Sequence, residues 1–320
     1  FESAGWDFEN IWVMDGYPKF RWNTDIIEVS SWTELQAISE NLDGQYVLTR
    51  DLLTTDDDYE DVAGPSANGS EGWIPLGDAA TEFTGYFNGQ HYTVDGLYID
   101  RPSTINIGLF GICSGCTVQN LSVTNVDITG SSSEAGITGG LVGQVVDAGM
   151  IINSSTTGNV LCGVANNGGD QVGGLVGYLD SSTISGSYST VDVAADDDVG
   201  GLVGEVTNGT FENCYATGSI NGADAIGGLI GRTNTAEITN CYAIGTVSGA
   251  SLVGGLIGYE FETDTVTSSY WDTQTSGTST SQGGVGFTSE EMQDQNTFES
   301  AGWDFVNTWQ MEPGSYPVLQ

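Results

Sequence analysis

Forty-three carboxylates, five basic side chains and one histidine set the chemistry open to this 320-residue chain. Asp170, Asp197 and Asp224 each stand three residues before a Gly-Gly pair and are spaced 27 residues apart. In a coil of that period they would stack along one edge. Unit charges about 5 Å apart repel by roughly 1 kcal/mol in water and about 3 kcal/mol at a partly buried site. Such a file calls for hydration, high salt or a cation such as Ca²⁺, which prefers several oxygen ligands from flexible loops. Asp196, Asp197 and Asp198 supply oxygens densely, and Asp56, Asp57 and Asp58 on a second loop do the same. No spacing reproduces an EF-hand loop, so a solvated acidic surface stands beside the cation reading.

Other candidates are sparser. His91 is the only side-chain base suited to neutral pH, and it sits in a turn-like Asn-Gly-Gln-His. Without a visible partner group it reads as structural. Two carboxylates suffice for a glycosidase, and 43 acids leave that possibility open. Cys214 and Cys241 occupy equivalent positions 27 residues apart, next to Ser187 in the preceding unit, and read as a buried small-residue file. Cys113-Ser-Gly-Cys116 either closes a local disulfide or has no role; a single pair is weak as a zinc signal. Tyr188, Tyr215 and Tyr242 recur at the same period, with Tyr270 extending them. Such an aromatic ladder could stack on sugars, or it could stiffen the stack from within. Asn68, Asn120, Asn153 and Asn208 head N-glycosylation sequons, with Asn68 and Asn208 in evident loops.

These residues are positioned by a repeat. Gly-Gly-Leu-Val-Gly or a close variant begins at Gly139, Gly173, Gly200, Gly227 and Gly254, at intervals of 34 and then three times 27 residues. The longer interval carries an Asn/Gly-rich insertion near 165–170. Degenerate copies stand at Gly108 and Gly283. Between copies come Asn-Cys-Tyr-like elements and short β-branched runs broken by Gly, Ser, Asn and Asp, which is strand and turn chemistry. A unit so short cannot bury an apolar face alone and must stack on its neighbours. The chain is therefore expected to be all-β, a parallel β-solenoid of about 27 residues per rung, right-handed by preference. Paired glycines make its corners, and one residue of each Leu-Val pair points inward. Ser31-Trp32-Thr33-Glu34 has the form of a capping box, followed by Leu35, Ile38 and Leu42 and stopped by Gly44. A short helix over 31–41 would cap the open end of the stack.

A longer repeat encloses the short one. Phe1-Glu-Ser-Ala-Gly-Trp-Asp-Phe8 returns identically at 298–305. Trp12, Met14 and Tyr17-Pro18 are matched by Trp309, Met311 and Tyr316-Pro317. The expected organisation is a tail of a preceding tandem module over 1–22 and an N-terminal cap over 23–107. The solenoid proper then covers 108–286, and a closing segment that repeats the first covers 287–320.

As a set, these motifs resemble the GLUG-repeat family of bacterial and archaeal surface proteins, which includes adhesins and immunoglobulin A peptidases. The five glycine-leucine motifs and the Asn-Cys-Tyr-Ala elements carry the resemblance. Trp73-Ile-Pro-Leu-Gly77, Phe83-Thr-Gly-Tyr-Phe-Asn-Gly89, Ser269-Tyr-Trp-Asp272 and the Gly-Trp-Asp-Phe ending at Phe305 add to it. It implies a β-helical stalk, not a catalytic unit. The peptidases' His-Glu-x-x-His motif cannot be assembled from one histidine.

Charge narrows the functions further. A net −38 provides no basic stripe for nucleic acid or anionic lipid. No run of 18 apolar residues appears, so nothing in this segment inserts in a membrane. Yet 38% hydrophobic residues, including eight Trp, suffice for a large core and exclude a disordered acidic chain. Self-repulsion at this charge is relieved in molar salt, where the screening length falls to about 3 Å. The expectation is an extracellular cell-surface module from a halophile, acidic, glycosylated and non-catalytic. Its expected partners are neighbouring copies joined end to end, and surface glycans. A glycan-binding or glycan-cleaving β-helix and a viral tail fibre are the alternatives.

Overall fold

The computed structural model describes residues 12–15, 17–20, 26–130, 136–163 and 170–320. Most of the expected tail over 1–22, and the insertion at 165–170 apart from Asp170, lie outside the described residues. The described chain is a parallel β-solenoid. Three sheets of 13, 12 and six strands enclose one apolar core, and every strand pair within them is parallel. Because the period is nearly constant, each repeat residue meets its own copy on the next rung. Gly139 pairs with Gly173, Gly173 with Gly200, Gly200 with Gly227 and Gly227 with Gly254. Leu141, Leu175, Leu202, Leu229 and Leu256 form one interior file, each fully buried. The amide of each of the first four donates to the carbonyl of the next leucine at 2.9 Å.

The glycines have a steric reason. A Cβ on Gly173 would lie 2.0 Å from the carbonyl oxygen of Val176, and one on Gly227 would lie 1.8 Å from that of Ile230. The second glycines of the first four pairs face the backbone of the adjacent rung, and Gly255 faces the Trp271 ring; for Gly201 the nearest atom is Gly228 O at 2.2 Å. Close approach of backbone, not a left-handed turn, therefore requires them. The left-handed corners fall instead at Asn120, Asn153, Asn213 and Asn240, with φ between 47° and 56°. Asparagine adopts this region more readily than other non-glycine residues. The expectation of one inward residue per Leu-Val pair is corrected: Leu175 and Val176 are both fully buried, as are Leu202 and Val203. The amides of both residues donate to the same leucine carbonyl of the next rung, which turns the chain sharply at that point.

At the N-terminal end, Ser31 caps α1 (Trp32–Gln36) by accepting from the amide of Glu34, a 3₁₀ turn Ala37–Glu40 follows, and the one-turn helix α2 (Tyr59–Val62) packs beside α1. The Glu34 carboxylate reaches back to the amide and hydroxyl of Ser30, one residue earlier than the capping-box form predicts. Trp32, Leu35 and Ile38 are buried by this packing. The sheets cross residue 108 without interruption: Ile26–Val29, Gln45–Leu48 and Tyr86–Asn88 lead in register to Thr117–Gln119. Cap and repeats thus share one core. No helix among the described residues is long and apolar enough to cross a membrane.

Candidate functional site

The tyrosine file lies on the 12-stranded sheet, just past the asparagine corner. Ser155, Tyr188, Tyr215, Tyr242 and Tyr270 occupy one register position. The rings of Tyr188 and Tyr215 stack 4.7 Å apart with 1° between planes, and those of Tyr215 and Tyr242 lie 5.0 Å apart at 8°. Tyr270 keeps the register but turns its ring toward Phe287, Phe298 and Trp303.

The file is covered from outside by the closing segment. Two one-turn helices, α3 (Ser289–Met292) and α4 (Gln295–Glu299), lead into an irregular stretch and an antiparallel hairpin of Trp309–Gln310 with Val318–Leu319. Thr288 opens α3 with a full capping box. Met292, Phe298, Trp303 and Trp309 form a second core with Tyr215, Tyr242 and Tyr270. Polar contacts fix the placement. Trp309 Nε1 donates to Asn213 Oδ1 at 3.2 Å, Trp303 Nε1 to the Ser268 carbonyl at 3.0 Å, and the Tyr242 hydroxyl to the Pro317 carbonyl at 2.5 Å. Tyr316 donates its hydroxyl to Asp272 Oδ2 at 2.7 Å. Burial pushes the hydroxyls of Tyr215 and Tyr242 far above the usual tyrosine range, so both remain neutral.

The cover stops short of Tyr188, which stays half-buried. There a groove of about 400 Å³ opens, lined by His91, Ser122, Asn153, Ser155, Tyr188 and Gln320 among others. One ring face of Tyr188 rests on Tyr215; the other is turned toward the small Ser155. The corner asparagines also break off here. Asn153 donates to Asn120 Oδ1 and Asn240 to Asn213 Oδ1, but between them stands Gly186, where a Cβ would lie 2.3 Å from Asn153 Oδ1. Ring face, amides, hydroxyls and imidazole together suit a neutral, hydroxylated ligand. No acidic side chain lines this groove. A second groove, of about 320 Å³, has Asp294 and Glu312 in its wall, but Asp294 is committed to capping α4.

The aspartate file forms in register, with Asp197 paired to Asp224. Its members meet different surroundings. Asp170 is buried, accepts from the amide of Gly136 at 3.2 Å, and has its carboxyl pushed up to about 6, mainly by burial. Asp224 accepts from the Ser251 hydroxyl. Asp198 (φ 44°) is buried and pairs with the partly exposed Arg232, Nε to Oδ1 at 2.8 Å. Burial pushes its carboxyl up to about 7, against the pull of Arg232. On the other loop, Asp56 holds Arg50 at 2.9 Å and the amide of Leu53, Asp58 holds the amide and hydroxyl of Thr33, and Asp57 is exposed. Among the described residues no group of three or more His, Cys, Asp or Glu is arranged to hold a metal ion.

All five cysteines are free and buried, and burial raises the thiols of Cys113 and Cys241 well above the usual range. They are packing residues, not nucleophiles. Three of the sequon amides are engaged. Asn68 donates to the Gly72 and Val62 carbonyls, Asn120 to Asn88, and Asn153 to Asn120. Asn208 is exposed, with its side chain outside any such contact; it lies within the strand Val203–Glu212 at a left-handed φ of 51°, not in the loop expected of it.

The GLUG motif matches residues 168–194, 198–221 and 222–248. Halomucin of Haloquadratum walsbyi is 35% identical over 157 residues, 48% of this chain and 2% of that protein. A protein of Evansella cellulosilytica described as a Gly-rich membrane protein is 34% identical over 147 residues, 37% of the chain and 16% of that protein. The chain thus spans a small part of each relative. A solved structure described as an immunoglobulin A1 protease from Bacteroides ovatus superposes with a TM-score of 0.64 over 93% of both chains, at 20% identity. That likeness concerns the fold.

Proposed function

We propose that this chain, a GLUG-repeat protein by its three matched motifs, is a non-catalytic structural and adhesive module of an extracellular protein on a halophilic microbe. One observation carries this reading: the repeated residues are spent on holding the stack together. Glycine, leucine and tyrosine each run as an axial file, and Tyr215, Tyr242 and Tyr270 lie beneath a cover from the same chain. Catalysis would instead require perturbed acids facing a shared cleft. The strongly shifted carboxyl of Asp198 is buried and ion-paired with the partly exposed Arg232. The similarity to halomucin, from a Haloquadratum, and the −38 charge support a brine setting. The return of the first eight residues at 298–305 supports tandem copies. A bound cation along the aspartate file and a glycan on Asn208 belong to the same reading.

The Tyr188 groove favours a second role, weak binding of surface glycans through ring stacking and amide hydrogen bonds. The experiment is incubation of the folded chain, in molar salt, with a panel of glycans and with immunoglobulin A1. Expected are intact substrates, and millimolar binding at most that Tyr188→Ala abolishes. Turnover of a glycosidic or peptide bond by the purified chain would overturn the structural reading.

A further inference from the structure

We propose that successive copies of this module in one polypeptide join flank to cap, each leaving the side of its predecessor, and that the rods do not stack end to end. The inference rests on the tandem reading above and replaces the end-to-end arrangement expected from the repeats alone.

The closing segment does not continue along the axis; it doubles back. From α3, beside the last strands Tyr270–Asp272 and Val285–Phe287, the chain reaches Asn213 at Trp309. It swings out again, so that Tyr316 meets Asp272, and then returns past Tyr242 at Pro317. Leu319 and Gln320 end in the groove beside Tyr188, Ser155 and Ser122. The Gln320 side chain is tied to the Trp309 carbonyl at 2.7 Å and its amide to the Thr308 carbonyl at 3.0 Å. The chain therefore reaches residue 320 midway along the flank.

Where the next copy must start follows from the long repeat. Trp12 pairs with Phe20 as Trp309 pairs with Leu319, both in antiparallel hairpins. Position 320 thus corresponds to Arg21, and the first solenoid strand opens five residues later at Ile26. Five residues span at most about 18 Å when fully extended. From the level of Tyr188, the positions of Tyr215, Tyr242, Tyr270 and Val285 follow in register before the stack ends. A coaxial next copy would start one rung beyond Val285. Five rung steps at about 4.8 Å come to about 24 Å along the axis alone. More is needed in practice, because Ile26 belongs to a different sheet from the tyrosine file. The linking residues cannot reach that far while the closing segment stays docked. They do reach the open flank beside the cap-proximal rungs, so the next cap lies against or near that side.

The test is a two-copy chain, residues 1–320 followed directly by residues 22–320, studied by X-ray scattering and negative-stain imaging in molar NaCl. Expected is a compact pair whose maximum dimension is well under twice that of one copy. Insertion of a 20-residue Gly/Ser spacer after Gln320 should lengthen the particle. A straight particle of about twice the single-copy length, or a dimension unmoved by the spacer, overturns the proposal. Should the two-copy chain aggregate, imaging of the native polypeptide distinguishes a side-branched chain from one straight rod. The tandem reading fails separately: peptide mapping of the native protein that finds no third Phe-Glu-Ser-Ala-Gly-Trp-Asp-Phe would sink it, whatever the scattering shows.

Discussion

At the scale of single residues, Asp198 is a buried carboxyl in an otherwise solvated acidic chain. Its carboxyl titrates near 7 in the folded chain, raised first by burial. In the unfolded chain it titrates near the ordinary aspartate value of about 3.9. Between those values the folded state holds a proton that the unfolded state has released. Stability from this group is therefore fullest below about pH 4 and is lost as pH rises toward 7. Asp198→Asn should flatten that part of the stability profile, removing a change on the order of 2–4 kcal/mol at about 1.4 kcal/mol per pH unit. Urea denaturation at fixed molar salt across pH 4.5 to 7.5 reads it; an unchanged slope in the variant would show that the charge is compensated elsewhere. Tyr242 offers a second case. Tyr242→Phe should cost about 1 kcal/mol by leaving the buried Pro317 carbonyl without its donor. Tyr242→Ala should cost about 3–5 kcal/mol by opening a cavity between Tyr215 and Trp303. Similar losses for the two would mean that ring packing contributes little.

At the scale of elements, rung and cover obey different rules. The rung is held by backbone close approach, so Gly173→Ala or Gly227→Ala should prevent folding or cost more than about 3 kcal/mol. Gly314→Ala, with no atom near its Cβ but φ at 76°, should cost only about 1 kcal/mol. Thermal melts of the three variants would expose the error if they proved alike. The cover is held by a few aromatic anchors. Trp309→Ala removes a buried ring and the bond to Asn213, and should make 287–320 the first site of limited proteolysis while the solenoid core stays protected. Uniform digestion of the whole chain would mean that cover and solenoid unfold as one unit.

At the scale of the whole molecule, charge governs. With 43 acids and five bases the folded chain repels itself, and the effect fades as the screening length drops from about 10 Å at 0.1 M to about 3 Å at 1 M. The melting temperature should climb by more than about 10 °C between 0.1 and 3 M KCl, and most of the gain should come before about 1 M if screening dominates. A melting temperature that ignores salt would remove the argument for a brine-adapted protein.

The period of 27 was enough to determine the solenoid and its files. In a parallel stack of equal coils each residue lands on its own copy, so Gly200, Leu202 and Tyr215 had to lie beneath Gly227, Leu229 and Tyr242 whatever the details of the coil. The free, stacked positions of Cys214 and Cys241 follow from the same argument. Direction was not legible. Left-handed corners at Asn153, Asn213 and Asn240 reset the alternation of side chains, so counting residues could not say which way the tyrosines point or that Asp198 is buried. Nor does local sequence announce that a segment far downstream folds back over the file, as Trp309 does on Asn213. Repetition fixes neighbours along the axis because it is translation. What covers the sides depends on contacts between segments that share no period, and only tertiary packing decides those.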